Sequence, residues 1–164
     1  MGQSDAVADA PRAEQMDLPA EYGAPSILLS WETVVARLEQ AQHYWLATVR
    51  PEGRPHTVPL DGVWLDGCWY FGGSPLAVKH RNLLANHHGS LHLGDAVAAV
   101  IVEGICQWTK ADARTAQRLA RSSKAKYGFG PPASAYLEGV WCFRPSQVLA
   151  WTDLTRDATR FVFG

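Results

Sequence analysis

Between Tyr44 and Phe71 the chain breaks into four short runs rich in aromatic and β-branched residues, divided by tight turns. The first run, YWLATV, stops at Pro51-Glu52-Gly53, and a second resumes at Arg54 and reaches Pro59. Val63 to Leu65 and Cys68 to Phe71 flank Asp66-Gly67, the dipeptide that supplies the positive φ angles of a two-residue hairpin. Connections this short cannot hold a crossover helix, so parallel pairing is excluded and an antiparallel meander is predicted.

The rest of the chain fits around that meander. Ser30 can cap a helix in which Val34, Val35, Leu38 and Ala41 recur at helical spacing. A short helix is predicted over residues 77–86 and a longer one over residues 110–127, capped by Thr109, with Ala113, Ala116, Leu119 and Ala120 facing inward. Residues 90–93, 96–104, 140–143, 148–151 and 160–163 read as strands. The stretch 96–102 is apolar on both alternations, so it is expected to be covered on both faces. The fold class is therefore mainly β with helical attachments, a closed or nearly closed barrel. Residues 26–164 form the one folded domain. Residues 1–25, with Asp5, Asp9, Glu14, Asp17 and Glu21 against Arg12, read as a flexible acidic leader.

Composition removes several function classes. Fifteen basic residues against sixteen acidic ones give no general basic surface, so nucleic acid is not an expected partner. No apolar run is long enough to span a membrane, and no secretion signal opens the chain. Three widely spaced cysteines, with no C-x-x-C pair, predict neither a disulfide framework nor a zinc knuckle, and a cytoplasmic location is expected. His87, His88 and His92 cluster without a neighbouring Cys, Asp or Glu ligand, so no metal site is assigned and solvated or core histidines are expected. There is no G-x-S-x-G and no spaced carboxylate pair. Arg114, Arg118, Arg121, Lys124 and Lys126 make a basic helical stripe, either a solvated face or a guide for an anionic ligand. Seven tryptophans fall on strands or their ends, apart from Trp31 at a helix start.

One stretch points to a ligand. Tyr70-Phe71 leads into Gly72-Gly73-Ser74-Pro75, and a helix bearing Lys79 and Arg81 follows. Glycines allow close backbone approach, and a helix start with a serine and a lysine can cradle phosphate, although the same four residues also make an ordinary turn.

The order Tyr44-Trp45-Leu46-Ala47-Thr48-Val49-Arg50-Pro51-Glu52-Gly53-Arg54-Pro55-His56, then Val58-Pro59, then Gly62-Val63-Trp64, resembles the pyridoxamine 5′-phosphate oxidase-like split-barrel superfamily. Lys79-x-x-Asn82-Leu83 and Val102-Glu103-Gly104 continue the likeness, which is nearest to the flavin or deazaflavin oxidoreductase branch. The resemblance implies a six-stranded antiparallel split barrel, a homodimer, and FMN or the deazaflavin coenzyme F-420 bound between subunits. Carried over, Val58, Pro59 and Leu60 line the ring, and Gly72, Gly73, Ser74 and Lys79 hold the phosphate. Asn82 fixes the helix. Trp64 and Trp151 border the substrate pocket, Trp151 from the partner subunit. Two positions depart from the pattern: Ala77 stands where relatives place a second cation, and Asp61 where they place an apolar residue. Arg81 cannot substitute for that cation, because two residues on a helix turn it away from Lys79.

The implied activity is hydride transfer between the cofactor and a small unsaturated substrate, with no catalytic side chain assigned. The mildly basic body and the excess of arginine over lysine tilt the cofactor towards F-420. The alternative is a non-catalytic flavin or tetrapyrrole carrier on the same fold.

Overall fold

Hairpin turns set the first half of the sheet. In the computed structural model, which describes residues 10–164, Asp66 and Gly67 take φ of 51° and 76° and join β4 (Val63–Leu65) to β5 (Cys68–Phe71). Gly53, at φ 87°, closes β2 (Tyr44–Val49) onto β3 (Pro55–Leu60). Ahead of them, α1 (Trp31–Gln40) is capped by Ser30, whose hydroxyl accepts from Thr33 N, and it buries Val34 and Leu38. Then follow α2 (Val78–Ala85), β6 (His88–His92), β7 (Val100–Thr109), α3 (Ala113–Tyr127), α4 (Ala133–Glu138), β8 (Val140–Ala150), α5 (Leu154–Asp157) and β9 (Thr159–Val162). A first strand, β1 (Arg12–Gln15), pairs with β9.

The expected six-stranded barrel is a nine-stranded antiparallel sheet, and it is not closed. Its order is β1-β9-β8-β7-β6-β2-β3, with β5 also paired to β8 and β4 to β5. β8 makes the branch: residues 141–143 pair with β5 and residues 147–150 with β9. Between those halves, Ser146 is an extra residue opposite the Glu103–Gly104 step, and its hydroxyl donates to the Glu103 carbonyl. Such a bulge bends a strand and lets it change partners. Gly104 is required there, because a Cβ would overlap the Arg144 carbonyl. The strands expected at 140–143 and 148–151 are one strand, continuous through Pro145 for this reason and ending at Ala150.

Alternation assigns the faces. Tyr44, Leu46 and Thr48 point inward from β2, and Trp69, Phe71, Trp141 and Phe143 meet them in one core with Leu83, Leu91 and Phe161. Ring pairs such as Trp69–Phe71, stacked at 4.5 Å, fill it. Three expectations are corrected. Residues 96–99 precede β7, because the Asp95 carboxylate accepts from Val97 N and Ala98 N and holds a turn; Val97 is 78% exposed. The cap of α3 is Asp112, not Thr109. Within the stretch read as a leader, residues 12–15 lie on the sheet, and Glu14 pairs with Arg160; the remaining readings for residues 1–9 lie outside the described residues.

Candidate functional site

After Phe71 the chain turns through Gly72, Gly73 and Ser74 into α2. Gly73 sits at φ 119°, and a Cβ there would stand 2.7 Å from Lys79 Nζ, so glycine admits both the backbone angle and the ammonium folded over it. The Ser74 hydroxyl accepts from Leu76 N at 3.2 Å, and its carbonyl accepts from Ala77 N at 3.0 Å, which fixes the turn. Ala77 is the N-cap of α2 and has no side chain to offer the first-turn N–H groups. Lys79 itself is only 6% exposed. Burial pushes its ammonium down, and no acidic neighbour opposes that shift.

From the β2–β3 hairpin, His56 comes within the field of Lys79, and Arg50 stands beside His56. Arg50 Nη2 lies 3.4 Å from His56 Nδ1. Burial, then Arg50, then Lys79 hold the His56 imidazole below its ordinary value, which places all three groups in one field. Hydrogen bonds lock the arrangement: buried Asn82 donates through Nδ2 to Thr48 Oγ1 at 2.9 Å, and Thr48 Oγ1 donates to the His56 carbonyl at 3.4 Å. Beneath the turn, His80 Nδ1 accepts from Trp141 Nε1 at 3.1 Å, which seats α2 on the core. Asn82 thus fixes the helix, as expected from sequence.

β3 runs away from this cradle as an edge strand. Arg50 N donates to the Arg54 carbonyl, and ladder alternation then turns the backbones of His56, Val58 and Leu60 towards β2. Pro55, Thr57 and Pro59 face the free edge, where a proline's missing N–H forfeits no ladder bond. That edge offers carbonyl acceptors and the Thr57 N–H. From His56 to Leu60 it covers roughly 13 Å, ending in an open cleft of about 450 Å³ lined by His43, Pro59, Leu60 and Asp61.

The chain just after Asp61 is braced by α3. Tyr127 Oη accepts from Gly62 N and donates to the Gly62 carbonyl, both at 2.9 Å. Lys126 Nζ donates to Tyr44 Oη at 2.7 Å and lies 4.7 Å from the Tyr44 ring centroid. Burial brings Lys126 down to about 8, against the attraction of Asp61 and Glu39. Asp61 Oδ1 sits 3.1 Å from His43 Nδ1.

The structure therefore groups Gly72, Gly73, Ser74 and Lys79 at one place and sets Val58, Pro59 and Leu60 along the adjoining strand. It does not bring the two tryptophans there. Trp64 is 4% exposed and packs against Trp31 in the core. Trp151 follows the far end of β8, where its N donates to the Ala99 carbonyl and its carbonyl accepts from Arg37. It stands ten residues from Trp141, the partner of Phe71. The basic stripe of α3 is also divided: Arg118 is paired with Asp66 and Lys126 is tucked among tyrosines. Arg50 and His56 entered the sequence reading only as part of the family-like run and, for His56, as a candidate proton donor; their place near Lys79 was not foreseen.

An antiparallel sheet that branches at β8, with helices packed on it, is a split-barrel-like fold. The family model for pyridoxamine 5′-phosphate oxidase matches residues 30–152, and the chain belongs to that family. Among solved structures, the chain is similar to an F420 reductase, with 21% identity and a TM-score of 0.54 over 69% of this chain and 93% of that one. It is also similar to a heme binding protein from Mycobacterium smegmatis, with 22% identity and a TM-score of 0.58 over 80% and 59% of the two chains. The heme storage protein HutZ from Vibrio cholerae shares 17% identity and a TM-score of 0.57 over 76% and 95%. Comparison with curated proteins finds no significant match. No helix among the described residues is long and apolar enough to cross a membrane.

Proposed function

We propose that the chain binds FMN or F-420 by its phosphate and acts as an oxidoreductase on a small unsaturated substrate. The carrying observation is Lys79, a buried ammonium without a counter-charge, beside a glycine turn and flanked by Arg50 and His56. A buried cation with no anion is costly, and a bound phosphate supplies the missing charge. Arg50 also answers the departure at Ala77, because it provides a further positive charge through space, beside a His56 imidazole that is uncharged at neutral pH and offers a hydrogen bond. The donor set thus fits a phosphate-bearing cofactor, which when bound supplies hydride chemistry.

The chain's own residues do the rest. Lys79 and Arg50 hold the phosphate, and the Asn82–Thr48 link keeps α2 at a fixed height over β3. The outward carbonyls of Thr57 and Pro59 accept from ring N–H groups, while Val58 and Leu60 pack beside them. A homodimer completes the groove, with Trp151 of a second copy as one wall. The slightly basic body favours F-420, whose tail is acidic. Lys79→Ala is expected to weaken binding of either cofactor by about 1.5–3 kcal/mol, read by fluorescence titration. Unchanged affinity would remove the phosphate role.

One observation favours the carrier reading. His92 Nδ1 must donate to the Leu93 carbonyl, 3.0 Å away, which leaves the Nε2 lone pair for a metal beside the parallel Trp45 ring. Haemin uptake with a Soret shift that His92→Ala abolishes, together with no uptake of FMN or F-420, would select it.

A further inference from the structure

We propose that Cys142 and Cys68 form a peroxide-reducing dithiol on the outer face of β5 and β8, a site independent of the cofactor reading. Tyr70 opposes Cys142 and Trp69 opposes Phe143 in that pairing. Cys68, Tyr70, Cys142 and Arg144 therefore share one face, while Trp69, Trp141 and Phe143 enter the core on the other. The two cysteines are diagonal neighbours across the ladder. Cys142 is buried and Cys68 half-buried, and both are free thiols, so solvent meets the pair at Cys68.

The neighbouring Cys68 thiol lowers Cys142 most, and Arg144 and Tyr70 on the same face add to that, bringing it down to about 7 although burial opposes ionisation. Its bond to Cys142 and burial keep Cys68 protonated. The pair thus holds one thiolate and one thiol near neutral pH, the division that an attacking and a resolving cysteine require. Cys106 opposes Phe143 and lies in the core, where burial pushes it up to about 12, so it is a bystander.

The chemistry balances. The Cys142 thiolate attacks one peroxide oxygen; an S–O bond forms, the O–O bond breaks, and the leaving hydroxide takes a proton from solvent. The Cys68 thiol then attacks the Cys142 sulfur, forms the S–S bond and gives its proton to the departing hydroxide. Two thiols and one peroxide become one disulfide and two waters, and an external dithiol restores the pair by exchange. Diagonal neighbours in a ladder sit roughly 7–8 Å apart at Cα, beyond the usual span of a disulfide. Closure therefore draws the start of β5 across β8, and a bond strained in this way is readily reduced.

The test treats the full, reduced chain with an equal amount of hydrogen peroxide and maps its peptides without reduction. The proposal expects the loss of two hydrogens and a Cys68–Cys142 link within one chain. In Cys68→Ser, Cys142 sulfenic acid persists and is captured by a 1,3-diketone; Cys106→Ser behaves as the parent does. Cys142→Ser consumes peroxide slower by about tenfold or more. An unlabelled Cys142 in Cys68→Ser, a link through Cys106, or no link in the parent overturns it.

Discussion

Asp157 shows how much one side chain can organise. It is 2% exposed, and burial opposes its charge. Donors from Thr152 Oγ1, Asp153 N, Thr152 N and Arg156 outweigh that and hold it well below the usual carboxylate range. The folded value lies below the unfolded one, so the stabilisation is present above roughly pH 4 and is lost as pH falls further. Asp157→Ala should cost about 2–3 kcal/mol at pH 7 in urea unfolding, with the gap to the parent narrowing below pH 4. Lys126 shifts in the sense expected of a buried base, and its Cε–H resonances should titrate near 8; a midpoint at the ordinary lysine value would remove the desolvated environment. At this scale Gly73 and Lys79 were legible because six residues of local chain unite them. Arg50 and His56 were not, since only the β2–β3 register and the seating of α2 bring them to Lys79. Trp64 misled because an indole in a core and an indole lining a pocket look alike in sequence.

Elements were legible where turn chemistry is local. Asp66-Gly67, Gly53 and the Ser30 cap all stand where their residue types require. Strand β1 was not legible, because the polar segment Arg12–Gln15 has a single apolar residue and no alternation; its hold on the sheet is the ladder to β9 and the Glu14–Arg160 pair. Apolar residues 96–99 imitated a strand, but the Asp95 side chain captured their N–H groups first, and Arg37 took the Ala98 and Ala99 carbonyls. The bulge at Ser146 yields a sharp prediction. Gly104→Ala forces a methyl into the Arg144 carbonyl and should destabilise the fold by about 2–3 kcal/mol in thermal or urea unfolding. Full stability would mean that the ladder absorbs the extra carbon.

At the scale of the whole molecule, the antiparallel class was legible from the meander, and the branching of β8 was not. Pro145 and Ser146 give no sequence sign that one strand serves two partners. The outer face of β2 and β7 carries Trp45, Val49 and Ile105, each 38–39% exposed, on the side of the sheet away from the core. We propose this face as the one a second copy covers in the homodimer. Sedimentation equilibrium should give the mass of two chains, and Trp45→Glu should return one; a monomeric parent would leave the groove open. The central claim is the anion cradle formed by Lys79, Arg50 and His56. Its most direct test is equilibrium titration of the purified protein with FMN and with F-420, in parent and Lys79→Ala. The account predicts saturable uptake of at least one cofactor by the parent and binding weakened by roughly ten- to a hundredfold in the variant. Uptake of neither cofactor, or equal uptake by both proteins, would contradict it.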